Sequence, residues 1–161
     1  MTNIDEIVIV NNHPRDGSMD FAPMTDILRQ RPGYALRRAA NAMMGELGRR
    51  LATIDLRIAE ASVLLLVDNR EDATASEIGR VLDIQRANMV PLLGRLEEAG
   101  LIARKPIDGK SQAVLLTALG HQRRAQADAI TTAFEDDLLG RIAAEHRDHL
   151  VPALGALWRA E

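Results

Sequence analysis

The chain has 161 residues, 47% hydrophobic but only 2% aromatic, with no cysteine and a formal net charge of −3. That length supports one sizeable core, filled mainly by Leu, Ala, Ile, Val and Met, and the missing cysteine excludes disulfides, thiolate metal sites and thiol redox sensing. The net charge conceals two basic segments: residues 31–57 carry six Arg against two acids, and residues 80–112 carry six Lys and Arg against four acids. A local patch of this kind serves a polyanion better than the total suggests, although Arg37, Arg38, Arg49 and Arg50 equally suit a solvated helix face.

Residues 1–30 read as an N-terminal arm. NNHPRDGSMD has no helical period and is rich in turn formers, and IVIV at positions 7–10 suits a short strand or an apolar plug. No basic stretch followed by an apolar one marks a secretory leader. The longest apolar run, Val63 to Val67, is too short to span a bilayer, so the expected location is the cytoplasm, with no membrane partner. After Pro32 and Gly33, Leu36, Ala40, Met43, Leu47, Leu51 and Ile54 recur at helical spacing from Tyr34 onward. Ile58 to Val67 reads as a second, mostly buried helix.

Thr74 opens a short helix through TASE, in which the hydroxyl of Thr74 and the carboxylate of Glu77 satisfy each other's backbone donors. A break near Asp83 and Ile84 precedes QRANMVPLLGRLEEA, whose Met89, Leu92, Leu93 and Leu96 form a buried stripe, with Gly100 as a C-terminal cap. LIARKP and SQAVLL are strand-like and joined by IDGK, a hairpin signal. Thr117 caps a long helix over about 118–142, and a last helix covers about 146–159, with Leu150, Leu154, Leu157 and Trp158 apolar.

Read in order, the centre is a capped helix, a tight turn, a second helix and a hairpin. The expected fold is therefore mainly α with a small β-hairpin wing, a winged helix-turn-helix over 58–117. In such a unit the second helix enters the major groove, and the hairpin reaches an adjacent minor groove. The candidate DNA-contacting residues are Gln85, Arg86, Asn88 and Met89 on the second helix, Arg95 toward its end, and Arg104, Lys105, Lys110, Ser111 and Gln112 on the wing. Their forked amides, guanidinium and ammonium groups suit base edges and phosphates.

The segment EIGRVLDIQRANMVPLLGRLEEAGLIARKPIDGKSQAVLLTALG resembles the centre of MarR-family transcriptional regulators. The resemblance rests on the RLE at Arg95 to Glu97, the G-L-I-x-R of Gly100 to Arg104, Asp108 with Lys110 at the wing tip, and the L-T-x-x-G of Leu116 to Gly120. It implies a homodimer built from helices in 31–57 and 118–161, binding double-stranded DNA with a pseudo-palindromic operator. Two departures stand out. Lys110 replaces the family's usual wing Arg, and Pro91 lies inside the second helix, where it should bend the helix or delay its start.

The resemblance also implies a small effector in a crevice between the dimer helices and the DNA-binding lobe, and the first long helix offers a candidate wall. On that helix Arg38, Ala42, Gly45, Arg49 and Ala52 share a face that suits either a pocket or close helix packing. His13, Arg15 and Arg38 are candidate cations, and Phe21, Met43, Met44 and Leu65 candidate walls, for a small aromatic carboxylate or its coenzyme A thioester. Such an effector fits a repressor of aromatic-acid catabolism.

Nothing in the sequence suggests an enzyme: there is no Gly-rich phosphate loop and no nucleophile elbow. No cofactor is expected. Glu145, His146 and His149 make half a metal site on one helix, which keeps a metal-responsive regulator as an alternative. A winged helix used only for protein contacts is the other.

Overall fold

The computed structural model describes residues 28, 30–107 and 111–157. The chain divides into two units, residues 1–39 and 40–161. Among the described residues are six helices and one hairpin: α1 Pro32–Ala52, α2 Ile58–Val67, α3 Ala75–Val81, α4 Arg86–Glu98, β1 Ile102–Pro106, β2 Gln112–Leu116, α5 Ala118–Gly140 and α6 Ala144–Gly155. In the first unit, α1 begins at Pro32, two residues before the periodicity predicted. Proline suits a helix's first position because its missing N–H would have no partner there. The Arg37 guanidinium lies 5.2 Å from the centre of the Tyr34 ring.

In the second unit α2 forms the centre. Ala61, Val63, Leu64 and Val67 are buried on several sides, as expected of a helix that is apolar all round. Leu51, Leu56, Ile78, Leu92, Leu93, Leu96, Leu101, Ile102, Val114 and Ala127 join the same core. This one cluster gathers α2, α3, α4, the hairpin and α5, so the helix-turn-helix is mounted on a packed interior.

The local elements follow from their ends. The Thr74 hydroxyl accepts from the Glu77 N–H, while the Thr74 N–H donates to the Glu77 carboxylate at 2.9 Å. The turn after α3 passes through Asp83 at φ 51°, and the Ile84 N–H returns to the Gly79 carbonyl at 2.8 Å. A Cβ at Gly79 would lie 3.0 Å from the Ile84 carbonyl oxygen and 3.2 Å from Met89 Cγ, so glycine lets the turn close tightly. Helix α4 ends in a Schellman motif. Gly100 at φ 69° donates to the Glu97 carbonyl, the Leu101 N–H reaches back to Leu96, and both leucines are buried.

The hairpin is antiparallel, with Ile102 opposite Leu116 and Pro106 opposite Gln112. The segment before α3 adds a short bridge from Thr74 to Ala113, and the Val114 N–H donates to Ala73. The hairpin is thereby tied to the start of the helix-turn-helix. Thr117 caps α5 by accepting from the Gly120 N–H at 3.0 Å, and its own hydroxyl donates to the Gly100 carbonyl at 2.6 Å. This brings α5 so close to the end of α4 that a Cβ at Gly120 would sit 1.9 Å from the Leu101 carbonyl oxygen.

Helix α1 meets α5 and its C-terminal end through charge. Glu46 accepts from Arg50 and from both terminal nitrogens of Arg141, and Arg50 also donates to Asp137. The Arg50 guanidinium lies 5.5 Å from the centre of the buried Phe134 ring. Arg123 donates to the Ile54 carbonyl beyond the end of α1. Helix α6 starts at Ala144, two residues earlier than predicted, and only Gly155 on it is buried. Among the described residues no helix is long and apolar enough to cross a membrane.

Candidate nucleic-acid interface

The burial of α4 fixes its orientation. Met89, Leu92, Leu93 and Leu96 face the core, so the opposite ridge, at helical spacing, is Ala87, Pro91 and Gly94. Arg86 and Val90 flank this ridge on one side, and Asn88 and Arg95 on the other. Gln85 is the N-cap, and Gln85, Arg86 and Asn88 are all exposed. No acidic side chain occupies the first turn, so the partial positive charge of the helix N-terminus stands beside Arg86 without a counter-charge from that turn. That combination suits an anion, and its amide and guanidinium forks suit base edges.

A cleft of about 470 Å³ opens between α3 and α4, lined by Gly79, Arg80, Gln85, Arg86, Val90 and Arg104 among others. Arg80 and Val90 were not singled out by the sequence pattern. Arg80 looked like any helix-surface cation, and Val90 falls next to the apolar stripe without belonging to it.

Several sequence-derived candidates change role. Met89, grouped with the DNA-contacting residues, is only 3% exposed. It packs beneath Gly79, so it supports the turn and cannot extend to a base edge. Pro91 neither shortens α4 nor delays its start, because the helix begins at Arg86 and runs to Glu98. Arg95 keeps a partly exposed side chain, but its Nε donates to Glu60 at 2.8 Å. Glu60 is 7% exposed and also accepts from the Arg57 N–H at 2.8 Å. Arg95 therefore braces α4 against α2. The lone acid in the apolar run IAEASVLLLV was the signal for such a buried pair.

On the wing, Arg104 and Lys105 separate. Successive strand residues point to opposite faces. Arg104 lines the α3–α4 cleft and donates to Glu97 at 3.0 Å. Lys105 lines a cleft of about 660 Å³ on the other face, with Arg70, Ala113, Leu115 and His121. Ser111 is half-buried and its carbonyl accepts from the Ile107 N–H; Gln112 is exposed at the start of β2. Lys110 lies outside the described residues.

Of the effector candidates, His13, Arg15 and Phe21 lie outside the described residues. Arg38 is exposed on α1, as is Met44, whereas Met43 and Leu65 are half-buried. Ala42, Gly45, Arg49 and Ala52 are exposed, and a Cβ at Gly45 would meet only the Arg49 guanidinium at 3.7 Å. That face is therefore not closely packed by other described parts of the chain. Glu145, His146 and His149 are exposed on α6, and no group of three or more potential metal ligands occurs among the described residues.

Comparison with known proteins agrees with this arrangement. Residues 54–112 match the model of the MarR family. A transcriptional repressor, CouR, solved bound to a 23-mer DNA duplex, superposes with a TM-score of 0.78 at 33% identity, covering 85% of this chain and 99% of that one. CouR bound to p-coumaroyl-CoA gives 0.75 at 31% identity, covering 91% and 100%. The Mycobacterium tuberculosis MarR-family protein Rv2887 in complex with salicylic acid gives 0.62 at 26% identity, covering 86% and 98%.

Proposed function

The chain belongs to the MarR family of transcriptional regulators, and from that premise we propose that it is a dimeric repressor of an aromatic-acid catabolic operon, released by an aromatic acid or its coenzyme A thioester. The observation that carries the DNA-binding part is the exposed group Gln85, Arg86 and Asn88 at the N-terminus of α4, whose first turn holds no acid, on a helix-turn-helix anchored in the core. Gln85, Arg86 and Asn88 read base edges, while Arg104, Lys105, Lys110, Ser111 and Gln112 hold phosphates. Helices in 31–57 and 118–161 form the dimer. The exposed apolar side chains Val151, Leu154 and Leu157 support that assignment, since α6 buries almost nothing within its own chain. A two-fold dimer requires a pseudo-palindromic site with half-sites about one helical turn apart.

The effector class is supported by similar proteins: CouR has been solved with p-coumaroyl-CoA and Rv2887 with salicylic acid. His13, Arg15, Arg38, Phe21, Met43, Met44 and Leu65 are the residues we propose for it. A ligand releases DNA only by preferring the arrangement that does not bind it.

The test is selection of a duplex from a random pool by the full-length protein, followed by gel shifts with benzoates, cinnamates and their coenzyme A thioesters. A palindromic duplex released by one of these compounds is expected, with Arg38→Ala blunting release. A selected duplex that none of them releases would overturn the effector class; failure to select any duplex would overturn DNA binding.

A further inference from the structure

Val90 is 66% exposed although it sits between the buried residues Met89 and Leu92 in sequence. Single exposed hydrophobic residues are ordinary on protein surfaces. What distinguishes Val90 is its position one helical turn after Arg86, lining the same cleft as Gln85, Arg86 and Arg104. An exposed apolar, β-branched side chain thus stands beside the cations Arg80, Arg86 and Arg104, in a cleft that also holds Asp83 and whose floor is the buried Met89 and Leu93.

The neighbouring ridge of α4 is low. Ala87 and Gly94 carry one side-chain carbon or none, the Pro91 ring is folded back onto its own backbone nitrogen, and a Cβ at Gly94 would meet nothing within 4 Å. A low ridge lets the helix backbone approach a flat edge closely, so a side chain as short as valine on its flank comes within contact distance. Valine can neither donate nor accept a hydrogen bond. Among the groups that base pairs present in the major groove, the thymine 5-methyl is the apolar one, and it is the group such a side chain can distinguish.

We propose that Val90 is a specificity-determining residue that packs on the 5-methyl group of one thymine in each operator half-site. The inference rests on the DNA-binding reading above and adds to it a base identity that the polar residues do not supply. Arg86, one turn earlier, places its guanidinium on the adjacent base, and Val90 sets the preference at the next position.

Deoxyuridine differs from thymidine only in lacking that methyl, so substitution isolates the contact. The full-length protein is used to select a duplex, and each thymine is then replaced by deoxyuridine in turn. At one thymine per half-site the replacement is expected to weaken binding about four-fold, the equivalent of one buried methyl. Val90→Ala should bind the unmodified duplex more weakly by a similar factor and be indifferent to uracil at that position. Its binding to random-sequence DNA and its thermal unfolding should match the parent, because the removed methyls are exposed. The proposal is overturned if no thymine is sensitive in the parent protein, or if Val90→Ala remains equally sensitive at the same thymine. Failure to select any duplex would instead remove the DNA-binding reading, and the inference with it.

Discussion

Gly120 shows how one atom can decide a position. Its backbone lies against the Leu101 carbonyl because Thr117 ties the start of α5 to the end of α4. Gly120→Ala must push the two elements apart or tilt α5, at a cost of about 1–3 kcal/mol or more. A lowered urea midpoint with an unchanged m-value is the expected readout. The Glu60–Arg95 pair is a second such case. Removing the guanidinium leaves a nearly buried carboxylate with one backbone donor. Because the Arg95 side chain is itself 41% exposed, Arg95→Ala should cost only about 1–2 kcal/mol. Denaturation curves of Arg95→Ala and of the double variant with Glu60→Gln check this, the second change restoring part of the loss.

At the scale of elements, α4 derives its role from what lies at each end. Its exposed first turn carries no acid, while its C-terminus is locked by the Schellman motif and the Arg95 brace. The helix is held firmly at one end and presents its hydrogen-bonding groups at the other. Arg86→Ala should therefore weaken binding to a selected duplex by about 1–3 kcal/mol and relax the preference at one base, without changing stability. Lys105→Ala should instead weaken all sequences alike and lower the salt slope by about one; quantitative gel shifts at several salt concentrations separate the two.

The junction of α1, α5 and Arg141 is electrostatic. Hydrogen bonds from Arg141 and then Arg50 hold the Glu46 carboxyl at about 2, below its ordinary 4.5. The lowered folded-state value means that the contribution is fully present above about pH 4.5 and is lost as pH falls toward 2. Carboxyl chemical shifts followed by NMR should show Glu46 titrating near 2 in the folded protein, and Arg141→Ala should raise that midpoint.

For the whole molecule, the largest exposed apolar side chains toward the end of the described chain are on and just after α6. Covering them by a second copy of the chain explains an otherwise wet surface. The double substitution Val151→Glu with Leu154→Glu should convert a micromolar dimer into monomers, measured by sedimentation. Operator binding should fall with it, since two half-sites then bind independently rather than as one unit.

The sequence by itself determined the order of elements, the capping of α3 and α5, the buried stripe of α4 and the hairpin, because each depends on neighbours only a few residues apart. It also placed Gln85, Arg86 and Asn88 at an exposed helix start, since the break near Asp83 and Ile84 and the apolar period together fix which residues remain outside. It could not tell that Arg104 and Lys105 line different clefts until strand pairing showed what lay beneath each face. Met89 carried both readings, and only the close approach of Gly79 put it inside. Arg95 read as a DNA-contacting cation until α2 brought Glu60, 35 positions earlier, within 2.8 Å of it. Local periodicity says which side of an element is apolar; which charge meets which across the core, and which apolar residue is left outside among the cations, is decided by the packing of elements distant in sequence.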